Sequence, residues 1–177
     1  MRRTSGLVTL AVVVVAGFVS ASAFARVAQP PPDATPGAVG VAGALLGGLD
    51  PAAAPGYRLE LVETVWEPGA YVTMHTHPTA IVVCVQSGAL GFAIQHGAAT
   101  VTRGGSGEAP ETTEPLELNT EVVLEPRDCV AFDHFAVHTV HTAWNASDGP
   151  TVLWEADLFA PDQPFTTFVD EHGTPIP

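Results

Sequence analysis

The chain has 177 residues, a length that suits one domain. It carries 19 acids against 6 bases, all arginine, for a formal net charge of −13. Such a surface repels nucleic acid and anionic lipid, whose binding needs basic patches, so neither is expected as a partner.

Residues 1–25 read as an export signal: Arg2 and Arg3 are the charged start, Leu7 to Val19 the apolar run, and Ala23-Phe24-Ala25 a small-x-small cleavage site. The apolar run is shorter than a membrane span needs. Cleavage after Ala25 would leave a secreted or periplasmic protein with four bases (Arg26, Arg58, Arg103 and Arg127) against all 19 acids. It would have no membrane contact once the signal is gone.

Residues 26–56 form an arm rich in Pro, Ala and Gly, of which Val39 to Leu49 is apolar enough to dock as an edge strand. Residues 57–160 read as β. Arg58 to Trp66 is a mostly alternating run, and Glu67-Pro68-Gly69-Ala70 is expected to break it. Tyr71 to Met74, Ile81 to Val85, Ala89 to Gln95 and Ala98 to Arg103 follow as strands, divided by turns such as Gln86-Ser87-Gly88 and His96-Gly97. A Gly-rich acidic loop covers Gly104 to Glu117. Glu121 to Leu124, Cys129 to Phe132, His138 to Ala143 and Thr151 to Phe159 complete the strands. Many short strands and no long helical period predict an all-β sandwich or barrel. Residues 161–177, with four prolines, form an extended tail.

Cys84 and Cys129 are the only cysteines. Outside the cytosol such a pair can form a disulfide, but each sits in an apolar strand-like run, where a small buried thiol is the more ordinary reading.

His75-Thr76-His77 follows a Pro-Gly turn inside a β-like run. In a strand, side chains at i and i+2 share a face, with Cα atoms about 7 Å apart. Two imidazoles aimed into one cavity supply part of a metal shell. Further candidates lie downstream, where His134, His138 and His141 fall within eight residues.

These residues resemble the cupins, small β-barrels carrying two short motifs. The first is G-x5-H-x-H-x3,4-E-x6-G, matched by Gly69, His75, His77 and Gly88. The second ends in H-x3-N, matched by His141-Thr142-Ala143-Trp144-Asn145, and Arg127-Asp128 resembles the Gly-Asp that opens it. The resemblance covers residues 57–160. It implies a single jelly-roll-like barrel of two antiparallel sheets, which often pair as homodimers. It also implies a mononuclear metal held by His75, His77 and His141. Counting back from Asn145 reaches His141; counting forward from Asp128 reaches His138, which is the reserve third ligand. His134 is read as a loop residue.

The chain departs from the family at the glutamate slot, which holds Ile81. Three neutral imidazoles would leave a divalent ion (Fe, Mn, Zn, Ni or Cu) its full charge and open positions, as in dioxygenase-like cupins that use three His. Equally, Ile81 greases the cavity, and a non-catalytic barrel holding a small ligand without metal is the alternative. No residue beyond the histidines shows a catalytic role, so the sequence is compatible with both an enzyme and a binding module. Glu155 and Asp157 are read as rim charges, Trp66, Trp144 and Trp154 as core or rim packing, and His96 and His172 as turn and tail residues. Asn145-Ala146-Ser147 matches a glycosylation acceptor, but its place in the second motif explains it better.

Overall fold

A computed structural model describes residues 29–31, 33–104 and 112–176. The expected export signal lies outside the described residues. The described chain holds eleven strands. They are β1 (Ala38–Leu49), β2 (Arg58–Thr76), β3 (Thr79–Ser87), β4 (Leu90–His96), β5 (Thr100–Arg103) and β6 (Thr112–Pro115), then β7 (Val122–Leu124), β8 (Cys129–Asp133), β9 (Val140–Asn145), β10 (Thr151–Phe159) and β11 (Thr167–Phe168). No helix among the described residues is long and apolar enough to cross a membrane.

The all-β expectation holds. The two expected sheets are hydrogen-bonded through into one curled antiparallel sheet, in the order β6-β5-β8-β3-β10-β2-β9-β4-β7, with β1 and β11 also paired to β2. The continuity comes from β2. It pairs with β10 over Arg58–Trp66 and with β9 over Tyr71–His75, so it belongs to both sides of the barrel.

Glu67-Pro68-Gly69-Ala70 therefore bends the strand instead of ending it. On the β1 side the register jumps from Val41↔Trp66 to Val39↔Tyr71, so these four residues bulge opposite Gly40. Pro68 has no N–H to offer a ladder and is tolerated where the ladder is interrupted. Gly69 takes φ 77°, the left-handed backbone that bulges of this kind require.

Strand parity sets the core. On β3, Ile81, Val83 and Val85 point inward and are buried, while Val82 between them is 43% exposed. Leu90, Phe92 and Ile94 of β4 meet them from the opposite wall, and Leu153 and Phe132, on the strands flanking β3, complete this core. Each such side chain contributes about 1.5–3 kcal/mol by leaving water. Gly88 turns β3 into β4 at φ 77°, and a Cβ there would lie 2.4 Å from Thr151 Oγ1. Arg127 sits where the family motif opens with glycine, and it too is left-handed, at φ 82°. The turn is held by Asp128, whose carboxylate accepts from the N–H groups of Gly104 and Glu125 and from Arg103 Nη1.

The buried-thiol reading of the cysteines is overturned. Cys84 and Cys129 are register partners on β3 and β8, with Cα atoms 4.1 Å apart, and are joined as a disulfide. Both lie on the half-buried outward face, the opposite parity from Val83 and Val85, which the apolar runs around them concealed. The sequence separation of 45 residues makes the closed loop large. Loop-closure entropy of that size stabilises by about 4 kcal/mol at most. Replacing both cysteines by serine is expected to lower the unfolding free energy by roughly 2–4 kcal/mol in a denaturant titration, and reduction of the wild type should do the same.

Candidate metal centre

The bend in β2 brings its second half, which carries His75 and leads into His77 just past the strand's end, against β9. His75 is the register partner of His141 across that ladder. All three imidazoles are buried, at 4%, 7% and 4% exposure. Ring nitrogens of the three lie within 4.8 Å of one another. The reserve residue His138 is exposed on the loop before β9, its ring 4.3 Å from that of His134. His134 accompanies it there, half-buried and hydrogen-bonded through Nδ1 to Thr76 Oγ1 at 2.9 Å. The geometry thus gathers His141, and not His138, with the first pair.

Asn145 explains why β9 sits where it does. It is wholly buried, and its Nδ2 donates to the carbonyls of Trp66, Glu67 and Gly149 at 2.9, 3.0 and 2.8 Å. Its Oδ1 accepts from Ser147 N and Oγ and from Thr151 Oγ1. One amide thereby ties the bend of β2 to the end of β9 and to the turn before β10. A glycan has no access to it.

Backbone carbonyls orient two of the rings. A carbonyl only accepts, so His75 Nδ1–H donates to Thr73 O at 2.7 Å and His77 Nδ1–H donates to Phe165 O at 2.8 Å. Each therefore keeps a lone pair on Nε2, as metal-ligating histidines do when the other ring nitrogen is hydrogen-bonded. His141 Nδ1 is buried with no partner. Burial, with the neighbouring His77, pushes the pKa of His75 down to about 3. Burial lowers that of His77 to about 4, and burial with its two companions holds His141 well below the ordinary value. The cluster is neutral at physiological pH. Imidazole nitrogens gathered in a buried site, beside an unpartnered ring nitrogen, form a donor set that a cation would complete.

The three rings line a cavity of about 230 Å³. Its wall is otherwise mostly apolar, including Val72, Phe92 and Phe132. Ile81 lies in this wall at 4% exposure, so the family's glutamate slot is occupied by a hydrocarbon facing the histidines. Both ends of the chain contribute to the enclosure. Ala38 and Val41 of the arm line it, and so do Phe165, Thr166 and Phe168 of the tail.

Glu155 also lines the cavity, although strand alternation alone suggested a rim charge. It is half-buried on the inward face of β10 and accepts from Thr64 Oγ1 at 2.7 Å. Burial raises its pKa. The signal available in the sequence was its parity with Leu153, a buried residue two positions earlier. Asp157 shares that face, is 1% exposed, and has no partner on either carboxylate oxygen. Burial first, then the nearby Glu155 and Glu60, raises its pKa from 3.8 to about 7. Of the tryptophans, Trp66 lines the cavity, Trp144 is buried over Gly91, and Trp154 is exposed with its indole N–H on Glu63 Oε2.

Asp157 has a consequence for stability against pH. The unfolded chain releases this proton above its ordinary pKa of 3.8, whereas the folded chain holds it to about 7. Rising pH therefore favours unfolding across that window, and the penalty is complete above it. Asp157→Asn should be more stable than wild type by about 2–4 kcal/mol near pH 8 and no more stable near pH 3.5. Equal differences at the two pH values in chemical denaturation would count against this account.

No protein-family model matches the chain, and no curated protein matches it. Among solved structures it is similar to KdgF from Halomonas sp., at 16% identity over 70% of this chain and 83% of that one, with a TM-score of 0.46. It is also similar to a cupin 2 domain-containing protein from Halorhodospira halophila, at 20% identity over 74% and 71% of the two chains, with a TM-score of 0.44. YcfD, a ribosomal oxygenase from Escherichia coli, matches at 15% identity over 59% of this chain, with a TM-score of 0.39, and the match spans 24% of YcfD. By its curled antiparallel sheet and by where it sets the two motifs, the fold is of the cupin type.

Proposed function

We propose that the protein is an exported cupin that holds one divalent metal ion on His75, His77 and His141 and binds or transforms a small molecule in the cavity beside it. The observation that carries this reading is the cluster itself: three buried imidazoles, neutral by burial, with two tautomers set by backbone carbonyls so that Nε2 is free. With no carboxylate among the ligands, a bound divalent ion would act as a Lewis acid with open positions for a ligand, and Fe chemistry with oxygen is one use of such a site. Fe, Mn, Zn, Ni and Cu all suit imidazole donors. The chain's own contribution is to keep the rings neutral and oriented, and to exclude water with Phe92, Phe132 and the tail.

A second reading has its own support. Ile81 and the apolar lining suit a ligand carrier that works without metal. Metal content separates the two. The mature protein, purified without a His tag and supplied with Fe, Mn, Zn, Ni and Cu in turn under reducing conditions, should retain about one equivalent by mass spectrometry. That equivalent should vanish in the His75→Ala/His77→Ala protein. Absence of every metal from the wild type would overturn the metal reading in favour of the carrier. Export is tested separately: the N-terminus of protein recovered outside the cytoplasm should begin at Arg26.

A further inference from the structure

The cavity has a second polar element that the histidine cluster does not use. Trp66 Nε1–H donates to Thr64 Oγ1 at 3.0 Å, and an indole nitrogen can only donate. Thr64 Oγ1 must accept that bond, so its own hydroxyl proton is the one that goes to Glu155 Oε1, at 2.7 Å. The chain of bonds has one direction: Trp66 to Thr64 to Glu155. It fixes Oε1 as an acceptor and holds the carboxyl in place. The other oxygen, Oε2, accepts no side-chain hydrogen bond among the described residues, and, unlike the oxygens of Asp157, it is not fully buried, so it is open to a ligand. Trp66, Thr64 and Glu155 all line the same cavity as His75, His77 and His141. Most of the remaining wall is hydrocarbon and aromatic ring, with Thr166 its one further hydroxyl, and that hydroxyl contacts His77 Nδ1 and not Glu155.

We propose that Glu155 selects the ligand: its free oxygen receives a hydrogen bond from a hydroxyl on a small, otherwise apolar molecule whose body packs against Phe92, Phe132 and Phe168. The volume supports a ligand of one ring with a short arm. A dry apolar cavity of about 150 Å³ is enough for benzene, and this one is about 230 Å³. The charge pattern supports the choice of a hydroxyl over an acid. A ligand carboxylate at this end would meet Glu155 with Asp157 and Glu60 behind it, no arginine lines the cavity, and burial holds the three histidines there neutral. A methyl group there would leave the Glu155 oxygen without a partner, which costs more than the bond gains. Glu155 is thus a specificity-determining residue, positioned by Thr64 and Trp66. The proposal rests on the reading of this cavity as a small-molecule site, but not on the metal.

The test uses benzyl alcohol and ethylbenzene, which differ by a hydroxyl in place of a methyl. Both are titrated calorimetrically into metal-free and metal-supplied protein, for wild type, Glu155→Leu, Glu155→Gln and Thr64→Val, with thermal melts to establish that each variant is folded. The readout is the ratio of the two dissociation constants, which cancels general changes in the cavity. Glu155→Leu should shift the ratio about tenfold or more toward ethylbenzene, the size expected for one buried hydrogen bond. In Glu155→Gln the single amide oxygen is taken by the Thr64 hydroxyl, leaving Nε2 to donate to a ligand hydroxyl, which can also accept; a polar partner is retained and the ratio should stay within about threefold of wild type. Thr64→Val removes the positioning bond and should shift the ratio in the same direction as leucine, which keeps the proposal testable if the leucine variant fails to fold. A ratio unchanged by both Glu155→Leu and Thr64→Val would overturn the proposal, as would failure of benzyl alcohol to bind the wild type. Discrimination by metal-free wild type that retains no metal would leave Glu155 in this role while the metal reading fails.

Discussion

Asn145 holds the carbonyls of Trp66 and Glu67 at the point where β2 leaves β10 and takes up β9. The rest of the barrel depends on that attachment. A strand that bends sharply exposes carbonyls that its ladder no longer satisfies, and leaving them buried and unpaired would cost about 1–3 kcal/mol each. The amide of Asn145 satisfies two of them from the far end of β9. In doing so it sets how β9 lies on β2, and therefore that His141 faces His75. Fold and site are joined through one buried side chain.

The interior also runs against ordinary electrostatics. A chain with 19 acids and 6 bases places two carboxyls, Glu155 and Asp157, on an inward face and sets three histidines nearby. Burial drives the two kinds of group in opposite directions, the acids toward protonation and the imidazoles toward neutrality. Both shifts discharge the cavity. The charge beside the cavity is thereby lowered inside a strongly anionic protein, a setting in which a few fixed hydrogen-bonding atoms dominate recognition.

Much of this was legible in the residues. His75 and His77 share a face because strand side chains alternate, and that argument needs only their spacing. His141 followed from its interval to Asn145, whose six hydrogen bonds show why that interval is constrained. The Pro68-Gly69 bend was misread as a strand end, since a break in the local pattern does not reveal that the strand resumes with a new partner. The cysteines were misread for a related reason: an apolar run looks alike on either face until the register with β8 is known. Glu155 illustrates the same limit. Its parity was visible, but which face of β10 turns inward depends on its register partners Val83 and Val62, 72 and 93 residues away in the sequence.

The hydrogen bond from His77 to the carbonyl of Phe165 spans 88 residues of sequence, and two residues further on β11 pairs with His75 and Thr76. The tail is consequently a term in the acid-base state of the cluster. While it is docked, the proton of His77 is confined to Nδ1 and Phe165 and Phe168 close the cavity; when it lifts, both constraints go together. Docking of the C-terminal segment and occupancy of the histidine cluster are then linked equilibria, each stabilising the other by the same free energy. A deletion of residues 165–177 would alter the centre of the barrel without touching a single residue of its two sequence motifs.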